Sequence, residues 1–158
     1  MRKSTALFHA SSPESTCTLA QRLGAHLRPG DVLLLSGEIG AGKTHFARCL
    51  IQSRLIEPED VPSPTFTLVQ QYDTDAGELW HADLYRLYDP DHCVELGLTD
   101  AFETAICVVE WPDRLAALTP ADALEISFAA PGDADDSRDL LFTWSAPRWA
   151  GIIAQALA

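Results

Sequence analysis

A glycine-containing loop near the start of the chain carries one of its only two lysines. The sequence GEIGAGKT at residues 37–44 fits the pattern G-x-x-x-x-G-K-[ST] without a mismatch. Glycines let the backbone turn tightly enough for successive N–H groups to point at phosphate oxygens. In such a loop Lys43 supplies a positive charge for the β- and γ-phosphates, and the Thr44 hydroxyl coordinates magnesium. The pattern therefore predicts a nucleoside triphosphate site, with ATP and Mg²⁺ as the expected ligands.

Two acidic residues could hold the magnesium ion or the water that attacks the γ-phosphate. Glu110 follows the apolar run 106–109, which is typical of a buried strand. Ligands of open α/β sheets bind beyond the carboxyl ends of the strands, so Glu110 is predicted to lie near Thr44 and to coordinate magnesium. Asp83 ends a second strand-like segment and could hold a metal-bound water or orient the attacking water. The simpler alternatives are that Glu110 faces solvent and that Asp83 caps the turn after it.

Five further residues each admit a functional and a structural interpretation. Ser63 and Thr65 flank a proline where P-loop enzymes often have a mobile segment that senses the γ-phosphate, although prolines also begin strands. Trp111 could stack on a base or cover the site, but a single tryptophan more often belongs to the core. His45 and His81 could be ligands, but isolated histidines are usually structural or exposed.

Apolar patterning places these residues on a regular succession of strands and helices. Ser12 and Pro13 have the residue types of a helix cap and a first helical position. The loop lies between a buried strand at 32–36 and an amphipathic helix. The other predicted elements are hairpins at 65–84 and 123–144, short helices at 90–105, a strand at 106–109, a helical turn at 113–118 and a helix from about residue 148. This order predicts a single α/β domain over residues 1–158, with a three-layer P-loop NTPase-like fold whose mixed, largely parallel central sheet carries antiparallel hairpins.

The composition excludes several classes of protein. No apolar run approaches the roughly 20 residues of a membrane helix, and the start is too polar for a secretory signal, so we expect a cytoplasmic location. The net charge of −12 disfavours direct binding to nucleic acid, so any link to RNA would pass through a partner. The four cysteines form no Cys-x-x-Cys pair, which disfavours a zinc site or a disulfide framework, and Cys107 is expected to be a buried free thiol.

Together these motifs resemble the bacterial ATPase family TsaE, also called YjeE, which is needed for threonylcarbamoyladenosine modification of tRNA. The resemblance covers nearly the whole chain. Its motifs are GEIGAGKT at 37–44, VPSPTFTLVQQY at 61–72, WHADLYRL at 80–87, ELGLTDAF at 95–102 and VVEWPDRL at 108–115. The first motif is common to P-loop proteins, whereas SPTFTLV, H-x-DLYRL and EWP at this spacing are specific to the family.

The resemblance implies a role for each candidate residue, and it makes the segment 132–137 a small insertion. The implied catalytic residues are Lys43, Asp83 and Glu110, the magnesium ligands are Thr44 and Glu110, and the switch-loop residues are Ser63 and Thr65. The implied ATP contacts are Ser12, Ile39, Gly40, Ala41, Gly42, Lys43, Thr44, Trp111 and Arg138.

The resemblance also implies a pathway and partners. Family members are accessory ATPases that bind a complex of TsaD and TsaB, which modifies adenosine 37 in tRNAs reading ANN codons. Hydrolysis would be weak alone and stimulated by that complex, and tRNA would be contacted only through the partners. His45 departs from the family, which usually has threonine at this position. Because the magnesium ligand Thr44 is intact, we expect at most altered hydrolysis.

Three other classes of function compete with this interpretation. A P-loop small-molecule kinase would need an arginine-rich lid, but only three widely separated arginines follow Glu110. A GTPase is less favoured still, because the chain has no asparagine and no lysine after Lys43 from which to build the guanine-binding motif. A module that binds ATP with little turnover would use the same residues as an ATPase, so the sequence does not separate the two.

Overall fold

The computed structural model describes residues 2–131 and 136–158, in which seven strands form one sheet. The strands are β1 (Ser4–Ala10), β2 (Val32–Ser36), β3 (Val69–Thr74), β4 (Gly77–Asp83), β5 (Ile106–Glu110), β6 (Leu124–Ala129) and β7 (Arg138–Trp144). The helices are α1 (Pro13–Gly24), α2 (Lys43–Arg54), α3 (Asp91–Glu95), α4 (Leu98–Thr104) and α5 (Arg148–Ala156), with a 3-10 helix at Pro112–Leu118. Among the described residues, none of these helices has the length and apolar character needed to cross a membrane.

The central strands of the sheet are parallel and the outer strands are antiparallel to their neighbours. In the order β1-β7-β6-β2-β5-β4-β3, the pairings among β6, β2, β5 and β4 are parallel and the three others are antiparallel. The apolar strands β2 and β5 are buried because they lie in the middle of the sheet. The predicted mixed α/β sheet with antiparallel hairpins is therefore confirmed. The predicted insertion at 132–137 lies partly outside the described residues.

Two apolar cores, one on each face of the sheet, give the fold its three layers. On one face α1, α2 and α5 pack against the strands through side chains such as Leu23, Phe46 and Ile153. On the other face α3, α4 and the 3-10 helix pack through side chains such as Leu98 and Leu115. The loop that follows β2 leads into α2 on the first face. Because this loop follows the end of β2, and because Asp83 and Glu110 are the last residues of β4 and β5, the predicted site lies at the carboxyl end of the parallel strands.

Strand β1 was not predicted from the sequence. It pairs with β7 along its whole length, with Ala10 opposite Arg138 at one end. Of its side chains only Ala6, Phe8 and Ala10 contact the core, and the others between them are exposed. The alternation of apolar and polar residues in this segment is short and weak, so the sequence does not distinguish it from an irregular segment. It forms a strand because it pairs with β7, which is distant in the sequence.

The expectation that the cysteines form no disulfide is wrong for one pair. A disulfide joins Cys17 of α1 to Cys49 of α2, whose Cα atoms lie 5.3 Å apart. The two residues are 32 positions apart, and only the packing of α1 against α2 brings them together. Cys93 and Cys107 are free and buried, as expected for Cys107. Burial raises the pKa of the Cys107 thiol to about 12, so that it remains protonated.

Candidate nucleotide-binding site

The loop at residues 37–42 connects β2 to α2, and its three glycines all have positive φ angles. Gly37 has φ +139°, and a Cβ atom there would lie 2.7 Å from the carbonyl oxygen of Phe128. Gly42, with φ +104°, directly precedes α2, whose first turn is capped by no side chain of the described residues. The N–H groups of that turn and the positive end of the helix dipole are therefore available to an anion.

Lys43, the first residue of α2, directs its ammonium group at its own loop. Nζ donates hydrogen bonds to the carbonyl oxygens of Gly37 at 2.5 Å and Glu38 at 2.9 Å. The same atom lies 4.3 Å from the centroid of the Trp111 ring, which is a cation–π distance. Burial lowers the pKa of Lys43, and the carboxylates that end β5 and β4 offset part of that effect. A bound phosphate would take the place of these two carbonyl oxygens as the hydrogen-bond partner of the Lys43 ammonium.

Glu110, the last residue of β5, connects the loop to strand β4. Its Oε1 accepts a hydrogen bond from the Thr44 hydroxyl at 2.7 Å, and its Oε2 lies 2.7 Å from Nε2 of His81. The side chain of Glu110 is 2% exposed and that of His81 is 0% exposed. The structure therefore brings Glu110 to Thr44 and away from solvent.

Asp83, the last residue of β4, lies directly opposite Glu110 in the parallel register of β4 and β5. Its Oδ1 accepts a hydrogen bond from the backbone N–H of Tyr85 at 3.0 Å. Its Oδ2 lies 3.5 Å from the hydroxyl of Ser63 and 3.4 Å from that of Thr65. The carboxylate caps the turn after β4 and also faces the predicted switch loop, so the two interpretations of Asp83 are compatible.

A cavity of about 440 Å³ opens between the loop and the ends of these strands. Its volume is in the ordinary range of small-molecule sites. It is lined by Ile39, Gly40, Gly42, Lys43, Thr44, His45, Ser63, Thr65, Asp83, Tyr85, Arg86, Glu110 and Trp111. The cavity brings together all of the predicted site residues except Ser12, Ala41 and Arg138.

The three predicted residues outside the cavity lining support the loop or the helix beside it. Ser12 caps α1, where its hydroxyl accepts a hydrogen bond from the N–H of Ser15 at 3.1 Å. Arg138, at the start of β7, donates from Nε to the carbonyl oxygen of Ala41 at 3.1 Å and also reaches the carbonyl of Gly40 at 3.4 Å. These two hydrogen bonds hold the loop by its backbone carbonyl oxygens. Ala41 itself is buried.

Four neighbouring residues lie outside the predicted set: His45 and His81, which the sequence offers as possible ligands, and Tyr85 and Arg86, which belong to a family motif. His45 lines the cavity, and its Nε2 lies 2.9 Å from a backbone carbonyl oxygen at the start of α1. Tyr85 and Arg86 also line the cavity. His81 lies behind it and contacts the carboxylate that ends β5. The alternation of side chains along β4 could have indicated His81, which lies on the same face of the strand as Asp83, two residues further on.

The donor atoms at the end of the loop suit magnesium. The Thr44 hydroxyl and the Glu110 carboxylate are hard oxygen donors, and they lie 2.7 Å apart. Within residues 2–131 and 136–158, no group of three or more His, Cys, Asp or Glu side chains forms a metal site by itself. Magnesium commonly binds through one or two protein groups together with nucleotide phosphates and water.

The fold and the loop together are those of a P-loop ATPase-like protein. Residues 10–140 match the family model for threonylcarbamoyl adenosine biosynthesis protein TsaE. The chain belongs to the TsaE family, which confirms the resemblance of its motifs and gives it a role in tRNA threonylcarbamoyladenosine biosynthesis.

Individual relatives agree with the family model. The chain is 37% identical over 117 residues to the tRNA threonylcarbamoyladenosine biosynthesis protein TsaE of Rickettsia bellii, covering 74% of this chain and 81% of that protein. It is 37% identical over 133 residues to the protein of the same name from Bacillus subtilis, covering 84% and 81%. A crystal structure of Bacillus subtilis YdiB superimposes with a TM-score of 0.78 at 28% identity, covering 99% of this chain and 96% of that one.

Proposed function

We propose that this chain binds ATP together with magnesium and hydrolyses it in support of the threonylcarbamoyl modification of tRNA. The observation that supports this most directly is the 2.7 Å contact between the Thr44 hydroxyl and Glu110 Oε1 at the end of the loop. A hydroxyl at this position of a P-loop is the residue type that binds magnesium, and Glu110 supplies the carboxylate that such sites use.

The loop and its lysine would bind the triphosphate. Backbone N–H groups from Ile39 to Thr44 donate to phosphate oxygens, and Lys43 exchanges its carbonyl partners for the β- and γ-phosphates. Trp111, whose ring centroid lies 4.3 Å from the Lys43 ammonium, covers the adjacent side of the cavity. Magnesium, when bound by Thr44 and Glu110, neutralises negative charge on the phosphates during transfer.

Asp83 would prepare the water for attack. Its Oδ2 faces the hydroxyls of Ser63 and Thr65 at 3.5 Å and 3.4 Å, so a water held there would have a carboxylate to orient it and accept its proton. We assign Ser63 and Thr65 as switch residues, because contact with the γ-phosphate would change these hydrogen bonds. Ser12 and Arg138 would act indirectly, by holding α1 and the loop beside the nucleotide.

The partner of this ATPase would be a TsaD/TsaB-type complex that modifies adenosine 37 in tRNAs reading ANN codons. A chain with a net charge of −12 is poorly suited to bind tRNA directly, so the partners would supply the RNA-binding surface. We expect hydrolysis to be slow for the chain alone and faster in the presence of the complex.

Phosphate release by the purified chain tests this proposal. We expect release that requires magnesium, needs no acceptor molecule and increases when the TsaD/TsaB-type complex is added. Thr44→Val should reduce it, whereas Thr104→Val, a matched change at an exposed threonine of α4, should not. A folded chain that neither binds Mg-ATP by calorimetry nor gains thermal stability from it would contradict the proposal.

The small-molecule kinase considered from the sequence is not favoured, because the family relationship points to tRNA modification. The same assay separates the two activities. Phosphate released to water in the absence of any acceptor supports an ATPase, whereas release that begins only when a small acceptor is added supports a kinase.

A further inference from the structure

We propose that His81 is a positioning residue that fixes the orientation of the Glu110 carboxylate, and so sets how tightly the site holds magnesium. This inference rests on the proposed function, since it concerns the same site. Nε2 of His81 lies 2.7 Å from Glu110 Oε2, while the other carboxylate oxygen accepts the hydrogen bond from Thr44 at 2.7 Å. The carboxylate is therefore held at both oxygens by groups from two different elements, β4 and α2.

A carboxylate with a hydrogen-bond partner on each oxygen is more constrained than a carboxylate with a partner on one oxygen. With the Thr44 bond alone, the carboxylate of Glu110 could rotate about its terminal bond, because that torsion is soft. With Nε2 of His81 on the second oxygen, the plane of the carboxylate is fixed. Side chains that hydrogen-bond to a metal ligand orient that ligand in many proteins, and their loss typically costs about 10–100-fold in metal affinity.

Burial makes the contact between the two side chains strong and specific. His81 is 0% exposed and Glu110 is 2% exposed, so solvent does not compete for either group. Nδ1 of His81 is buried and has no hydrogen-bond partner among the described residues. The imidazole is therefore oriented by its Nε2 contact, and Nε2 is the donor because an ionised carboxylate only accepts hydrogen bonds.

The position of His81 in the sheet also suits a supporting role. Asp83 lies opposite Glu110 in the parallel register, and His81 lies opposite Val108, two positions further from the cavity and on the same face of the sheet. Among the described residues, His81 does not line the cavity, and its hydrogen-bond contact with the site is the one with Glu110. A direct ligand or a proton-transfer group would need to face the cavity itself.

The test compares substitutions that keep or remove the donor. His81→Gln retains an N–H donor at about the reach of Nε2, whereas His81→Leu removes the donor and His81→Asn carries an amide too short to reach. For each variant, ATP-dependent thermal stabilisation is measured across a magnesium titration, and ATP affinity is measured separately in EDTA. His92→Leu, at an exposed histidine of α3, is the matched control.

We expect His81→Leu and His81→Asn to raise the half-saturating magnesium concentration about 10-fold or more, with ATP affinity in EDTA unchanged. His81→Gln should restore most of the magnesium affinity. A folded His81→Leu or His81→Asn protein with the wild-type magnesium requirement would overturn the proposal. Equal losses in all three variants, in EDTA as well as in magnesium, would also overturn it, because they would indicate a packing role. If the wild-type protein gains no stability from ATP at any magnesium concentration, the proposed function fails first.

Discussion

At the scale of single residues, Lys43 and Asp83 are expected to make separable contributions. Lys43→Ala removes a charge that would bind phosphate, and charged hydrogen bonds contribute about 1.5–3 kcal/mol each, so ATP affinity should fall about 10–100-fold and turnover with it. Asp83→Ala leaves the phosphate-binding groups intact, so affinity should persist while turnover falls about 10²–10⁴-fold. Calorimetry with Mg-ATP and an assay of phosphate release measure the two quantities independently.

Asp100→Ala, at an exposed acidic residue of α4, provides the control for Asp83→Ala, because it removes the same charge away from the cavity. Unchanged turnover in Asp83→Ala would remove the proposed role of Asp83. Loss of affinity in that variant would instead indicate that the cap on the turn after β4, where Asp83 accepts a hydrogen bond from Tyr85, shapes the nucleotide pocket.

The residues of the site differ in how far the sequence predicts them. Lys43 and Thr44 belong to a local motif whose spacing carries the chemistry. The prediction of Glu110 depends on more than a local motif, because Glu110 lies near Thr44 only if β5 pairs in parallel with β2. The contact of His81 with Glu110 depends on the register of β4 against β5, which no local pattern encodes. The bonds from Arg138 to the loop depend on the distant strand β7.

At the scale of elements, the disulfide between Cys17 and Cys49 is expected to stabilise the packing of α1 against α2. A crosslink between residues 32 positions apart typically contributes about 2–4 kcal/mol, so Cys17→Ser should lower the free energy of unfolding by that amount under oxidising conditions. Urea unfolding measures the difference. Reductant should lower the stability of the wild-type protein to that of the variant, and should leave the variant unchanged.

Thiol counting provides the direct check on this disulfide. Denatured protein purified without reductant should present two reactive thiols, from Cys93 and Cys107. Four reactive thiols would show that Cys17 and Cys49 are both reduced in the protein as purified, and the stability difference would then disappear.

Elements with strong local signals were predicted and elements defined by distant partners were not. The apolar runs of β2 and β5 and the turn between β3 and β4 identify those strands from their own residues. Strand β1 has no comparable run, and it becomes a strand through its pairing with β7. The disulfide likewise depends on two helices meeting, which the cysteine spacing does not reveal.

At the scale of the whole molecule, the class of fold was predictable but the order of the strands was not. A P-loop between a buried strand and a helix, followed by further strands and helices, already indicates a layered α/β sheet. The order β1-β7-β6-β2-β5-β4-β3 places the first strand beside the last, at the far side of the sheet from β3. Such a pairing is set by the competition among all strands for neighbours rather than by any one segment.

The position of β1 has a consequence for the association of this protein with itself. Because β1 occupies the outer side of β7, it covers the backbone N–H and C=O groups that β7 would otherwise offer to another chain. A variant that lacks residues 2–9 keeps the cap of α1 at Ser12 but leaves those groups exposed. It should form larger species than the full chain at equal concentration, which light scattering after size exclusion would detect. Residues 2–9, which lie outside the nucleotide cavity, would thus replace the open edge of β7 with that of β1, a strand that carries fewer large apolar side chains.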